Sequence, residues 1–102
     1  MQTIMQKSKR CYLCGAVSGE HLDRHHIFQS SLRNQAEKYG LWVYLCHDKC
    51  HENGRLAAHQ NAETRERLRR EAQRAAMKEY GWDVNEWRNH FYKNYLEDID
   101  NA

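Results

Sequence analysis

The chain has 102 residues, of which 40% are hydrophobic and 29% charged, and its formal net charge is only +2. This length accommodates one domain, and no segment approaches the roughly 18 consecutive apolar residues of a membrane span. Residues 1–10 are polar and basic and lack the apolar segment of a secretory signal, so we expect a cytoplasmic protein with reduced cysteines. So thin a core usually needs a metal, a disulfide or a partner chain for stability.

The chain divides into an arm and one domain. We expect residues 1–10 to form a flexible basic arm and residues 11–102 to form a single domain. Within the domain, residues 11–62 hold all four cysteines and six of the seven histidines, and residues 63–102 are a helical extension. The grouping of metal-binding residue types in 11–62 predicts that the chemistry of the protein lies there.

Two strands and a short helix are predicted in this core. Residues 41–45 are aliphatic and aromatic and are bounded by Gly40 and Cys46, which favours a short buried strand. Residues 26–28 are a candidate end of its partner strand. Between them, residues 31–39 have some helical propensity, and Gly40 could end that helix. The fold class is therefore a small α+β domain.

The helical extension is predicted to begin with a long helix. Residues 63–80 contain no Gly or Pro and are rich in Ala, Arg and Glu, which predicts a long helix ending at Gly81. Ion pairs within this helix explain much of its charge, with DNA contact as the alternative. Asp83 followed by Glu86 has the form of a capping box and predicts a second helix that carries Trp87 and Phe91 into the core.

Four cysteines form two close pairs with the spacing of metal ligands. They are Cys11, Cys14, Cys46 and Cys50. A structural zinc ion takes four thiolates or imidazoles in a tetrahedron, and each short turn presents two of them together. Two disulfides or four free thiols are the alternatives, and a reducing compartment favours zinc. His47 could also replace one cysteine as a ligand.

The histidines suggest a second site. Adjacent residues of a strand point to opposite sides, so His25 could bind a metal while His26 takes a proton from water. Together with His51 and His59, His25 could hold a second metal that is open to substrate. His21 and His47 are interpreted as bystanders. The alternative is that all of these are surface or zinc-adjacent histidines.

At this point the motifs resemble a known family. The chain is similar to HNH endonucleases in five features. These are CYLC at residue 11, HHIF at residue 25, YLC and CH around the second cysteine pair, and the later His59. The segments KYGLWVYLC, NGRLAAHQN and KNYL resemble the small versions found in phages and prophages, and the likeness extends over residues 11–96. It implies a ββα-metal core, followed here by two C-terminal helices. In that core, His25 and His51 are metal ligands, His26 is the general base, and His59 matches a histidine of the subgroup.

Two departures from the HNH pattern stand out. The asparagine that gives the family its middle letter, and that braces the loop bearing the base, is absent, because Trp42 and Val43 occupy that region. The second cysteine pair is CxxxC rather than CxxC. The additional residue changes the direction in which His51 points relative to the zinc.

These motifs predict a metal-dependent DNA endonuclease that hydrolyses phosphodiester bonds. Its cofactors would be a structural Zn²⁺ and a catalytic divalent metal, namely Mn²⁺, Ni²⁺, Zn²⁺ or Mg²⁺. Asp23 is a candidate to orient a metal-bound histidine, and Arg24, Arg33 and Arg55 are candidate phosphate contacts.

The expected partner is DNA, with a homodimer or a phage protein as further possibilities, and a phage-encoded chain would act in the host cytosol. The alternatives are a non-catalytic zinc-bound DNA-binding or adaptor module on the same scaffold and a protein-interaction zinc domain.

Overall fold

A computed structural model describes residues 1–17 and 21–96 of the chain. Its elements, in order, are β1 (Leu22–His26), α1 (Leu32–Lys38), β2 (Trp42–Cys46), a π-helix (His47–Glu52), α2 (Ala62–Tyr80) and α3 (Val84–Phe91). The predicted small α+β fold, with a two-stranded sheet and helices, is confirmed. Residues 97–102, the end of the predicted helical extension, lie outside the described part.

The two strands form an antiparallel hairpin whose connection contains α1. His25 pairs with Val43 and His26 with Trp42. The chain leaves the sheet after His26, earlier than the predicted strand end at Phe28. The reason is that Ile27 and Phe28 both turn into the core, which a strand with alternating faces does not allow.

The two long helices begin and end at the residues that cap them. The Asn61 side chain accepts a hydrogen bond from the backbone N–H of Thr64 at 2.9 Å, so α2 starts one residue before the predicted position. Gly81 ends α2 in the left-handed conformation, with φ at +67°. Asp83 accepts from the N–H of Glu86 at 2.8 Å, which confirms the predicted cap of α3.

The core lies where the C-terminal helices pack on the hairpin connection. Trp87 and Phe91 of α3 stack on one another at 4.3 Å between ring centroids, and both contact Phe28. Leu68 and Ala72 form part of the buried face of α2. This packing fixes β1 and α1 relative to the helical extension.

Residues 1–10, predicted as a flexible arm, lie along the edge of β2 that faces away from β1. The N–H of Tyr44 donates to the side chain of Gln6 at 2.8 Å, and the hydroxyl of Thr3 donates to the carbonyl of Trp42. The Trp42 indole donates to the carbonyl of Met1 at 3.1 Å. These bonds cover backbone groups that an edge strand otherwise leaves open.

Among residues 1–17 and 21–96, no helix is both long enough and apolar enough to cross a membrane.

Candidate metal centres

The four cysteines come together from three separate parts of the chain. Cys11 and Cys14 lie in a turn closed by the N–H of Gly15, Cys46 ends β2, and Cys50 lies in the π-helix. Their sulfur atoms all lie within 4.8 Å of one another. Those of Cys14 and Cys46 are 3.8 Å apart. Sulfur atoms about 2.3 Å from a tetrahedral zinc lie about 3.8 Å from each other, so the group fits a structural zinc site.

The electrostatics of this group also favour a cation. Burial opposes ionisation of Cys11, but backbone N–H groups outweigh it and bring its pKa to about 7. Burial and the neighbouring sulfur atoms instead hold the pKa of Cys50 well above its usual range. Several thiolates this close repel each other, and a bound divalent ion removes that repulsion. Within the described residues the group contains no histidine, which leaves His47 outside it.

A second group is formed by three histidines from three elements. His25 comes from β1, His51 from the π-helix and His59 from the turn that follows, and their ligand nitrogens lie within 4.8 Å of one another. The Nε2 atoms of His51 and His59 are 3.0 Å apart, a separation that a shared proton or a shared metal ion allows. His25 is buried, whereas the side chain of His59 is 44% exposed. The group therefore has a closed side and an open side.

The π-helix explains why His51 reaches this group despite the longer cysteine pair. The N–H of Asn53 donates to the carbonyl of Asp48 at 2.8 Å, a bond across five residues. A π-helical turn holds one more residue than an α-helical turn, so it absorbs the additional residue of CxxxC. Backbone bonds from Ala58 to Cys50 and from His59 to His51 then hold the following turn against the π-helix.

His25 is in the protonation state that a metal ligand needs. Its burial, together with the positive charge that His51 and His59 can carry, lowers its pKa to about 3. At neutral pH the ring is therefore uncharged and keeps a lone pair for a metal. Arg69 of α2 adds positive charge near His25, a proximity that the sequence pattern did not indicate.

Asp23 contacts three histidines at once. One of its oxygens lies 2.7 Å from Nδ1 of His51 and 2.7 Å from Nδ1 of His47, and the other lies 3.1 Å from Nε2 of His21. Burial opposes ionisation of Asp23, but the bonds from His51 and His47 hold its pKa below the usual value. With Nδ1–H of His51 donating to Asp23, the Nε2 lone pair of His51 faces His59. His21 and His47, interpreted as bystanders from the sequence, thus surround this carboxylate.

His26 lies on the other side of β1 with a different partner. Its Nε2 is 3.1 Å from Oε2 of Glu37 in α1, and the same carboxylate accepts from Arg24 at 2.8 Å. The guanidinium of Arg24 lies 3.9 Å from the ring centre of Trp42. The predicted division of His25 and His26 between two faces is therefore present. Glu37 belongs to no motif, and only the packing of α1 beside β1 identifies it.

No family model, no curated protein and no solved structure matches this chain. The HNH resemblance thus stays a prediction from the motifs.

The arginines predicted to contact phosphate are separated. Arg24 lies on the His26 face of the hairpin. Arg55 lies beside the cysteine group, where it lines a cavity of about 400 Å³ together with Cys14 and Cys50. Arg33 is on α1. Of the three, Arg24 is the one with a partner in common with His26.

Proposed function

We propose that the protein is a metal-dependent DNA endonuclease built on a ββα-metal core, in which the cysteine group holds a structural zinc. The observation that carries the proposal is the convergence of His25, His51 and His59 beside a hairpin that presents His26 on its opposite face. A metal ligand next to a general base is the pairing that one-metal hydrolysis of a phosphodiester needs.

The three histidines are the ligands of the catalytic metal in this proposal. Imidazole nitrogens about 2.0–2.1 Å from a metal lie roughly 3.3 Å from each other, close to the 3.0 Å between His51 and His59. Three neutral imidazoles favour Zn²⁺, Ni²⁺ or Mn²⁺ over Mg²⁺. A divalent metal held there would polarise a phosphate oxygen and stabilise the leaving 3′ oxygen.

His26 takes a proton from the attacking water. In-line attack requires the base and the leaving oxygen on opposite sides of the phosphorus atom. His26 and His25 point to opposite faces of β1, so in this proposal the base and the metal that stabilises the leaving oxygen lie on opposite sides of the phosphate. His26 is the last residue of β1 and directly follows His25, so the candidate base and a candidate metal ligand are adjacent along the strand. Arg24 lies on the same face and offers a guanidinium to a phosphate oxygen.

A non-catalytic DNA-binding or adaptor module is the second candidate. One observation favours it, namely the missing HNH asparagine, since Trp42 and Val43 occupy that region. In this alternative the same hairpin and zinc site would serve only to present a binding surface.

Plasmid cleavage tests the proposal. Purified protein is incubated with supercoiled plasmid and Mg²⁺, Mn²⁺, Ni²⁺ or Zn²⁺, beside His26→Ala, an EDTA control and the exposed α3 variant Asn89→Ala. We expect metal-dependent nicking that falls by about 10²- to 10⁴-fold in His26→Ala and stays unchanged in Asn89→Ala. Zinc content and DNA binding in a gel shift should be equal in all three proteins. An intact plasmid in every lane, with DNA still bound, would favour the non-catalytic module.

A further inference from the structure

We propose that Glu37 is a positioning residue that fixes the orientation of His26 and Arg24. This inference rests on the proposed nuclease function for its catalytic consequence, but the contact on which it is based can be tested separately.

The two oxygens of the Glu37 carboxylate are divided between the two side chains. Oε2 lies 3.1 Å from Nε2 of His26, and Oε1 accepts from Nη1 of Arg24 at 2.8 Å. Arg24 and His26 are alternate residues of β1 and therefore share one face of the hairpin. Arg24 is held on its other side by the ring of Trp42, 3.9 Å away. One carboxylate thus links the candidate base to the candidate phosphate contact.

The backbone that carries Glu37 is itself held in place. The neighbouring Ala36 is fully buried, and its carbonyl accepts from the N–H of Leu41 at 2.9 Å. Gly40 follows with φ at +74°, and a Cβ there would lie 2.6 Å from the carbonyl oxygen of Gln2. This tight junction between α1 and β2 leaves the position of Glu37 little freedom relative to the hairpin.

The contact determines which ring nitrogen of His26 is basic. A carboxylate can only accept hydrogen bonds, so a neutral His26 beside it carries its proton on Nε2. Nδ1 then holds the lone pair. The proton of the attacking water moves to Nδ1 as the water oxygen bonds to phosphorus, while the bond from phosphorus to the 3′ oxygen breaks and that oxygen leaves with the electron pair and takes a proton from solvent. The resulting imidazolium keeps its Nε2–H bond to the Glu37 carboxylate, which stabilises the new positive charge.

A purely structural role does not explain this arrangement. The side chain of Glu37 is 32% exposed and that of Arg24 is 47% exposed. An ion pair in this setting contributes little to stability, because solvent screens it. The amino group of Met1 lies 4.0 Å from Oε1 of Glu37, the oxygen that Arg24 also contacts. His26 contacts the other oxygen, Oε2. The main effect of Glu37 is therefore expected on orientation rather than on folding.

The test compares Glu37→Ala with Glu37→Gln, which keeps the size and one accepting oxygen, and with the exposed α2 variant Glu79→Gln. Long-range ¹⁵N–¹H spectra of histidine-labelled, zinc-loaded protein at about pH 8.5, where an ordinary histidine is neutral, report the tautomer of each ring. We expect His26 as the Nε2–H tautomer in the wild type and in Glu79→Gln, and a mixture of tautomers in Glu37→Ala. In plasmid nicking, kcat should fall about 10- to 100-fold in Glu37→Ala, a part of what the base supplies, with a smaller fall in Glu37→Gln.

Two results would overturn the inference. One is a single, unchanged His26 tautomer in Glu37→Ala, and the other is an unchanged kcat in that variant while the wild type nicks the plasmid. A wild type that does not nick at all contradicts the nuclease proposal instead. In that case the spectra alone decide whether Glu37 orients His26.

Discussion

Asp23 is the residue that connects the outer histidines to the candidate metal ligands. It lies on β1 two residues before His25 and therefore on the same face of the strand. One oxygen of its carboxylate is close to both His51 and His47, and the other is close to His21. A carboxylate that accepts from the free ring nitrogen of a ligand histidine fixes its tautomer and increases its basicity.

Replacing Asp23 with Asn should therefore weaken metal binding at the histidine group. The amide keeps the size of the side chain but removes the charge that orients His51, and we expect affinity to fall about 10- to 100-fold. Competition titration with a chromophoric chelator measures this affinity, and zinc at the cysteine group should be retained. Glu79→Gln removes an exposed charge from α2 and is the matched control. Equal affinity in both variants would reduce Asp23 to a surface ion-pair partner.

For some residues of the candidate site the sequence predicts the position, and for others it does not. His25 and His26 were assigned to different faces from strand alternation alone, because the period of a strand is fixed. Glu37 and Arg69 could not be identified in this way, since each approaches the histidines through the packing of a helix. Long-range contacts of this kind leave no trace in local spacing.

At the level of elements, the backbone is more closely packed around Gly54, in the turn after the π-helix, than around Gly81, which ends α2. A Cβ at Gly54 would overlap the backbone carbonyl of Lys49, whereas a Cβ at Gly81 would meet nothing within 4 Å. Gly81 is required only for its left-handed backbone, but Gly54 is required because two parts of the backbone approach closely there. That close approach lies between Lys49 of the π-helix and the turn that leads to His59.

We expect Gly81→Ala to affect only stability and Gly54→Ala to affect both stability and metal binding. Gly81→Ala should lower the free energy of unfolding by about 1 kcal/mol, the usual cost of a left-handed alanine, with metal binding unchanged. Gly54→Ala should cost more and should also weaken metal binding at the histidine group, because the turn must shift. Urea unfolding and chelator competition on the metal-loaded proteins separate the two effects. If Gly54→Ala binds metal as well as Gly81→Ala does, the turn does not position His59.

The elements themselves were predictable where local chemistry marks their ends. The end of α2 follows from Gly81 and the start of α3 from Asp83, which act through nearby backbone groups. The local sequence does not predict the π-helix, which carries Cys50 into a group with two cysteines that are distant in the sequence, a non-local contact. Strand β1 was located only at its end for a similar reason, since its pairing with β2 is a non-local contact.

At the level of the whole molecule, the cysteine group is the junction of the fold. It joins the N-terminal turn, the end of β2 and the π-helix, and the hydroxyl of Tyr12 in that turn donates to Glu71 of α2 at 2.5 Å. Cys50 is followed directly by His51, so the histidine group depends on the cysteine group for its geometry. The cysteine group depends only weakly on the histidine group, because His59 lies in an exposed turn.

Under the proposed function each group binds a metal, and loss of these two metals should be unequal in its consequences. Cys14→Ser removes one thiolate of the structural site, and we expect the variant to lose both metals and to unfold at a much lower temperature, as small zinc domains do without their metal. His59→Ala removes one open-side ligand and should lose only the metal of the histidine group, with little change in Tm. Elemental analysis and thermal unfolding of both variants beside the wild type provide the measurement. A Cys14→Ser protein that keeps metal at the histidine group would show that the hairpin and the turn of His59 organise that group without the zinc.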